Sequence, residues 1–292
     1  MKKAILTIII VFTIIVGVPR VEGSQCSPLR IVSLSLRIVS SPVFAMGVQN
    51  IQVQENFLIQ DNLPIQVSTS SQGLQPLCEE DSAFVEMIEN LDKEMIEKAK
   101  VDLKYGKKNT KDVAGIILYR DTKKIDTKKI AVSVNLKLKN VVVWAYNEEE
   151  KKYNIPVRAM ACSPNKKRTP KGLFYPQNFI KGFHRVYGES SFCQYCTRIY
   201  SQFLIHSPVY EEMKNDTLKT ETYNGLGIVE SGGCVRVTTG DAAWLQKHLT
   251  KESPIYIYES DYRGPLEIEK IERIDENQKY DPTDPKVIEE LK

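Results

Sequence analysis

This chain contains few histidines and tryptophans, and its net charge is small. Its 292 residues include three histidines and two tryptophans, and the formal net charge is +3. A charge this close to balance does not create the strong positive field that nucleic-acid binding needs, so nucleic acid is not expected as a partner. Imidazole is the usual base near neutral pH, so histidine chemistry in this chain must use His184, His206 or His248.

A second long apolar run is also missing, and no later segment approaches the roughly 18 apolar residues that a membrane span needs. The first run follows two lysines and ends near Val21 and Gly23, which are suited to the −3 and −1 positions of a cut before Ser24. We therefore predict a signal peptide at residues 1–23, with an uncleaved signal-anchor that tethers the protein to the membrane as the alternative. In either case the protein is expected to be exported, extracellular or cell-wall associated, and periplasmic in a cell with an outer membrane.

The segments that follow differ in character. Residues 24–78 repeat "LRIVS" and keep no long strict alternation, so they are interpreted as a linker or irregular segment. Residues 79–127 are predicted to be a helical extension and connector. One amphipathic helix is expected at 79–105, with these apolar residues on its buried face: Phe84, Ile88, Leu91, Met95 and Ala99.

From Ile130 the pattern favours strands. "IAVSVNLKLKNVVVWAY" is typical of a hairpin, and several further short strands are interrupted by one clear helix, which Thr238 or Thr239 can cap. The predicted fold class is mainly β, a β-sandwich or open barrel with few helices. The C-terminal tail, residues 261–292, is expected to add a strand at "PLEIEKIERI" and a short helix at its end.

One cysteine stands in an unusual setting, the stretch "ESGGCVRVTTGDAAWL" around Cys234. Glycines let a substrate carbonyl approach backbone N–H groups closely, and a cysteine nucleophile needs a base to form its thiolate. His206 ends an apolar strand, where it is either that base or a packed strand-end histidine. His248 suits the end of a helix, where a cation complements the dipole, and His184 suits a surface loop.

The residues "FLIHS" followed by "SGGCVR" resemble the motif of the YkuD-type L,D-transpeptidases. "KKRTPKG" resembles the Thr-Pro-x-Gly loop of that family, and the resemblance covers about residues 128–260, the expected catalytic domain. Two departures stand out. Gly232 occupies a position where many members have a second histidine. The gap between His206 and Cys234 is also long, because "EEMKNDTLKTETYNGL" resembles an insertion, which is either a lid or a surface loop.

The resemblance implies a role for each matching residue. Cys234 would be the nucleophile and His206 its general base, with the imidazole held by the backbone carbonyl of Ser207. Backbone N–H groups of Gly233 and Cys234 would face the developing oxyanion.

The resemblance also implies a reaction. The thiolate would attack a tetrapeptide stem of peptidoglycan, release D-alanine and transfer the acyl group to an acceptor amine. The product would be a 3→3 cross-link that serves cell-wall biogenesis and cell shape. Ser231 and Arg236 match motif positions that shape the site and are expected to bind substrate. For Arg236 the alternatives are contact with a peptide carboxylate and bracing of the cysteine loop. No metal and no organic cofactor is expected. The alternatives are an L,D-carboxypeptidase acting on the same stem and a catalytically inactive cell-wall-binding module.

A second cysteine motif, Cys193-x-x-Cys196, stays open on sequence grounds. In an exported protein it is a local disulfide, two inert thiols, a redox pair or half of a zinc site. A zinc site would need His184 and Cys162 to complete four ligands.

Overall fold

The computed structural model describes residues 11–14, 32–35, 79–186, 188 and 190–292. The chain divides into two compact units, Met1–Cys78 and Glu79–Lys292. In the first unit, β1 (Val11–Ile14) pairs antiparallel with β2 (Val32–Ser35). The rest of the signal segment and of the linker lies outside the described residues, so both stay predictions. Within the described ranges, no helix has the length and apolar character to cross a membrane.

The second unit begins with two helices, α1 (Glu79–Glu89) and α2 (Lys93–Tyr105). The prediction of one continuous helix was wrong, because the Asp92 side chain accepts a hydrogen bond from the Met95 N–H at 2.8 Å and starts a new helix. This restart changes the buried face. Met95 is 49% exposed, and Ile96 is fully buried instead.

The remaining elements are mostly strands. A hairpin of β3 and β4 follows the helices, and a five-stranded sheet has the order β7-β6-β5-β13-β8 beside a four-stranded sheet with the order β12-β11-β10-β9. The bounds are β3 (Thr110–Val113), β4 (Ile116–Tyr119), β5 (Ile130–Asn135), β6 (Asn140–Asn147), β7 (Lys152–Ala161), β8 (Gly172–Phe174), β9 (Asn178–Arg185), β10 (Phe192–Tyr200), β11 (Phe203–His206), β12 (Val235–Arg236) and β13 (Ile255–Tyr258). Three further helices are α3 (Thr220–Asn224), α4 (Thr239–His248) and α5 (Pro285–Glu290).

The five-stranded sheet is buried on both faces, since successive residues of a strand point to opposite sides. Along β6, Val141 and Val143 enter a core shared with the four-stranded sheet and α4, whereas Val142 and Trp144 enter a second core under α1 and α2. The buried indole N–H of Trp144 is satisfied, because it donates to the Ser133 hydroxyl at 2.9 Å.

The start of α4 is held by its own cap and by the C-terminal tail. The Thr238 hydroxyl accepts the Asp241 N–H at 3.1 Å, and the Asp281 carboxylate accepts the Thr239 N–H at 2.8 Å. The short terminal helix is confirmed as α5. The strand predicted at 265–274 was wrong, because those residues form no ladder and the isoleucines Ile271 and Ile274 pack singly against a neighbouring cluster.

That cluster belongs to the insertion between His206 and Cys234. Tyr210, Leu218, Tyr223 and Leu226 are buried together in a small core of their own. The insertion is therefore a packed element that includes α3, and residues 211–226 are not among those that line the cavity beside Cys234.

The fold class is confirmed. The second unit is mainly β, with two sheets around a shared core, a short helix after Cys234 and a helical segment ahead of the sheets.

Candidate active site

Two short parallel strands bring His206 and Cys234 to one face of the four-stranded sheet. In the β11–β12 pair, His206 lies opposite Arg236 and Ile205 lies opposite Val235. Ile205 and Val235 both enter the inter-sheet core, so the alternating residues on either side of them face away from it. Cys234 is one of these, because it directly precedes Val235.

This face borders a cavity of about 720 Å³. Both His206 and Cys234 line it, together with His184, Cys193, Arg198 and Gln202. The thiol and the imidazole that the sequence singled out are therefore neighbours of a single concave space, although 28 residues separate them in the chain.

His206 is set up as a neutral base. Its side chain is 2% exposed, and its Nδ1 lies 2.6 Å from the carbonyl oxygen of Ser207. A carbonyl oxygen only accepts, so Nδ1 carries the hydrogen and Nε2 keeps a free lone pair in the neutral ring. Burial lowers the pKa of His206 to about 3, and the positive charge of Arg236 acts in the same direction. Whether this ring is a catalytic base stays a prediction.

Cys234 rests as a thiol. Burial raises its pKa above the ordinary value, although the Leu204 backbone and the charges of Arg236 and Arg198 oppose that shift. Its sulfur donates to the carbonyl oxygen of Gln202 at 3.8 Å and, within the described residues, makes no hydrogen bond with His206. A side-chain rotation is thus needed before the thiol proton can reach the imidazole.

The cysteine loop is braced from within. The Ser231 hydroxyl donates to the carbonyl oxygen of Cys234 at 2.5 Å and accepts the N–H of Gly233 at 3.0 Å. The Gly233 N–H is therefore already engaged in this structure. Its oxyanion role stays a prediction that requires this hydrogen bond to open.

A second loop braces the first from outside. The Thr169 hydroxyl donates to the carbonyl oxygen of Gly233 at 2.7 Å, and the Asn165 amide donates to the carbonyl oxygen of Ser231 at 2.8 Å. Gly233 has φ of 142°, a conformation that side-chain-bearing residues rarely adopt. The loop that contains the Thr-Pro-x-Gly motif thus fixes the backbone directly before Cys234.

Arg236 is tied to the same region through its backbone. Its N–H donates to the Ser163 carbonyl at 3.2 Å, and its carbonyl accepts the Ser163 N–H at 2.7 Å. Both Ser231 and Arg236 therefore shape the cysteine loop, and their contact with substrate stays a prediction.

Gln202 and Arg198 line the cavity, and no sequence motif marks them. The expectation that His184 lies in a surface loop was wrong, because it lies on β9 and also lines the cavity. Thr169 is the first residue of the Thr-Pro-x-Gly motif, which marks the loop in the sequence but does not show its contact with Gly233. His248 hydrogen-bonds the carbonyl oxygen of Trp244 through Nδ1 at 2.8 Å at the end of α4, away from the cavity.

The described ranges contain no group of three or more histidine, cysteine, aspartate or glutamate side chains arranged to hold a metal ion. Cys162 packs in the inter-sheet core, whereas Cys193 and Cys196 pack in a separate cluster beside Cys234. The fold does not bring Cys162 to the pair as the zinc alternative required.

Comparison with known families now adds to this geometry. Residues 127–257 match the family model YkuD, described as the L,D-transpeptidase catalytic domain. This segment is similar to the catalytic domain of that family. The chain is also 33% identical over 92 residues to the protein named "Putative L,D-transpeptidase YciB" of Bacillus subtilis (strain 168). That match covers 30% of this chain and 46% of YciB, so the chain spans less than half of that relative.

Two solved structures are similar to part of the chain. An L,D-transpeptidase from Mycobacterium smegmatis has a TM-score of 0.34 at 17% identity, covering 44% of this chain and 58% of that one. L,D-transpeptidase 1 of Mycobacterium tuberculosis has a TM-score of 0.32 at 17% identity, covering 44% of this chain and 62% of that one. At these scores the likeness adds nothing to what the YkuD match states.

Proposed function

We propose that this protein is a cysteine-dependent L,D-transpeptidase that acts on peptidoglycan stem peptides. The observation that supports this most is the β11–β12 pairing, because it sets a buried neutral imidazole and a half-buried thiol at one cavity. The YkuD match of residues 127–257 agrees with it. The substrate is taken to be a tetrapeptide stem.

The first half of the reaction forms an acyl-enzyme. The Cys234 thiol turns from the Gln202 carbonyl towards His206, and Nε2 takes its proton as the sulfur attacks the carbonyl carbon before D-alanine. The carbonyl oxygen becomes an oxyanion, stabilised by the Cys234 N–H and by the Gly233 N–H once it leaves Ser231. Collapse breaks the peptide bond, and the proton on His206 passes to the departing D-alanine amine.

The second half resolves the thioester. An acceptor amine from another stem attacks the same carbonyl carbon and gives its proton to His206, and the thiolate leaves and is reprotonated. The product is a 3→3 cross-link. The positive charges of Arg198 and Arg236 beside the cavity suit a stem peptide that carries carboxylates.

The test is mass spectrometry of purified tetrapeptide muropeptides incubated with the full-length protein. Dimers lacking one D-alanine are expected with the wild type and absent with Cys234→Ala. Cys162→Ala is the matched control, because it removes a buried core thiol that does not line the cavity, and it should keep the activity. Replacing His206 by Asn should lower kcat at least about a hundredfold, the usual contribution of a general base.

Two results would overturn parts of this proposal. Tripeptide monomers without dimers would mean that water replaces the acceptor amine, as in an L,D-carboxypeptidase. Unchanged tetrapeptide under reducing conditions would refute catalysis and leave a cell-wall-binding module.

We also propose that the protein is exported through its N-terminal segment. The basic start, the apolar run and the small residues at 21 and 23 support this. Terminal sequencing of protein recovered outside the cytoplasm should begin at Ser24. A chain that begins at Met1 in the membrane fraction would instead indicate the signal-anchor and a membrane tether.

A further inference from the structure

The Cys193-x-x-Cys196 motif forms a pair of touching thiols. Both side chains are fully buried, and their sulfur atoms lie 3.2 Å apart. On a regular strand, residues three positions apart point to opposite faces of the sheet. Something in β10 must therefore turn one of the two around.

The backbone conformation of Tyr195 does this. The pairing of β10 with β9 shifts between Gln194 and Cys196, and Tyr195 has φ of 50°. A left-handed backbone is uncommon for a bulky aromatic residue, and such outliers cluster at functional sites. Tyr195 packs towards the inter-sheet core, while both cysteines gather on the opposite side.

The side on which they gather is the side of Cys234. Cys193, Cys196 and Leu204 form one buried apolar cluster, and Cys234 packs against it. Cys193 also lines the same cavity as Cys234. The two cysteines of β10 and Cys234, which directly precedes β12, therefore belong to one cluster beside the cavity.

The three thiols differ in solvent exposure, and this difference determines which of them an oxidant reaches first. Cys234 is partly open to the cavity, whereas Cys193 and Cys196 are both 0% exposed. A dissolved oxidant therefore reaches Cys234 first, and the buried pair then reacts with the oxidised Cys234. An oxidant-accessible thiol beside a second, resolving thiol is a common arrangement in reversible redox sites.

We propose that Cys193 and Cys196 form an internal reductant that restores the Cys234 thiol after oxidation by a hydroperoxide. The proposal rests on a nucleophilic sulfur at Cys234, as the proposed function does, and it does not depend on the stem peptide. The proposed transpeptidase reaction does not use Cys193 or Cys196, and the redox reaction gives the pair a function.

The electrons balance over three steps. The Cys234 sulfur attacks a peroxide oxygen, the O–O bond breaks, and the leaving oxygen departs as water or an alcohol with the thiol proton; Cys234 is now a sulfenic acid. One thiol of the pair attacks that sulfur, and the S–O bond breaks with loss of water to give a mixed disulfide. The second thiol attacks its neighbour, and Cys234 leaves as a thiolate. In total the two pair thiols become a disulfide and one hydroperoxide is reduced.

The pair is already close to the geometry of its product. A sulfur separation of 3.2 Å exceeds a disulfide bond by about 1 Å, so side-chain rotation brings the atoms together. External thiols would then return the disulfide to its reduced form by exchange.

The experiment uses the full chain with Cys26→Ala and Cys78→Ala, reduced, freed of reductant and treated with one equivalent of hydrogen peroxide. Alkylation and peptide mass mapping should find a Cys193–Cys196 disulfide and an alkylated Cys234. In Cys234→Ala the pair should oxidise at least tenfold more slowly. In Cys193→Ala or Cys196→Ala, a mixed disulfide of Cys234 with the remaining sulfur should accumulate. Cys162→Ala, the control, should behave like the unsubstituted protein.

Two outcomes overturn the proposal. If Cys234→Ala forms the pair disulfide as fast as the unsubstituted protein, the pair oxidises independently. If Cys234 accumulates as sulfinic or sulfonic acid while the pair stays reduced, the sulfurs do not exchange. Alanine keeps the cluster apolar in every variant, and near-UV circular dichroism checks that each one is folded. No stem peptide is present, so a failure here is separate from a failure of transpeptidation.

Discussion

Acid should destabilise this protein through His206. Burial lowers its pKa from an ordinary 6.5 to about 3, so the folded state keeps the ring neutral. Below pH 6.5 the unfolded chain binds a proton there and the folded chain does not. The stability that this ring contributes is therefore complete above about 6.5 and is lost as the pH falls towards 3. Between pH 7 and pH 4 the loss attributable to this one group is about 3 kcal/mol of unfolding free energy.

Replacing His206 by Asn isolates that effect. The amide nitrogen of asparagine stands at the position of Nδ1, so it can still donate to the Ser207 carbonyl, but it does not titrate. Urea unfolding at pH 7 and pH 4 measures the difference, and fluorescence follows it because both tryptophans, Trp144 and Trp244, lie in the second unit. The wild type should lose about 3 kcal/mol more than the variant over this interval.

A second histidine of the cavity, His184, also responds to acid. Burial lowers its pKa too, and the charge of Arg198 adds to the shift. Both proteins retain His184, so its contribution cancels in the comparison. Equal losses of stability in the wild type and in His206→Asn would refute the inference that His206 is neutral because it is buried.

Three further changes follow from the packing of the site and of the helices. Thr169→Val removes the donor to the Gly233 carbonyl, which should cost about 1–3 kcal/mol of unfolding free energy and lower kcat/KM for stem peptides; a variant that retains both would show that the brace is dispensable. Gly233→Ala should destabilise the fold, because its new methyl group would lie 2.7 Å from the Phe203 ring and the backbone φ is 142°. Gly232→Ala is the control, because its methyl group would meet nothing within 4 Å and its stability should be nearly unchanged. Equal urea midpoints for the two variants would contradict this. Asp92→Ala should cost about 1 kcal/mol through the lost cap, measured by the same urea titration, and no loss would mean that tertiary packing alone sets the helix start.

Much of the domain followed from local pattern. The alternation after Ile130 correctly predicted the β5–β6 hairpin, and the cap at Thr238 correctly predicted the start of α4. The predicted helix at 79–105 was interrupted by the cap at Asp92, and the predicted tail strand was absent. In both cases hydrophobic periodicity and residue propensity describe the segment in isolation and carry no information about what it packs against.

For the candidate site, the sequence by itself determined the residue types: a cysteine among glycines, a histidine at a strand end and a Thr-Pro-x-Gly loop, all in the order of a known motif. Only the tertiary structure decided that His206 and Cys234 share a cavity, because the parallel pairing of β11 with β12 joins residues far apart in the chain. Only the tertiary structure set their proton affinities, which depend on burial and on neighbouring charges. The contact between Cys193 and Cys196 was likewise decided by the left-handed backbone at Tyr195, a feature that the spacing of two cysteines does not encode.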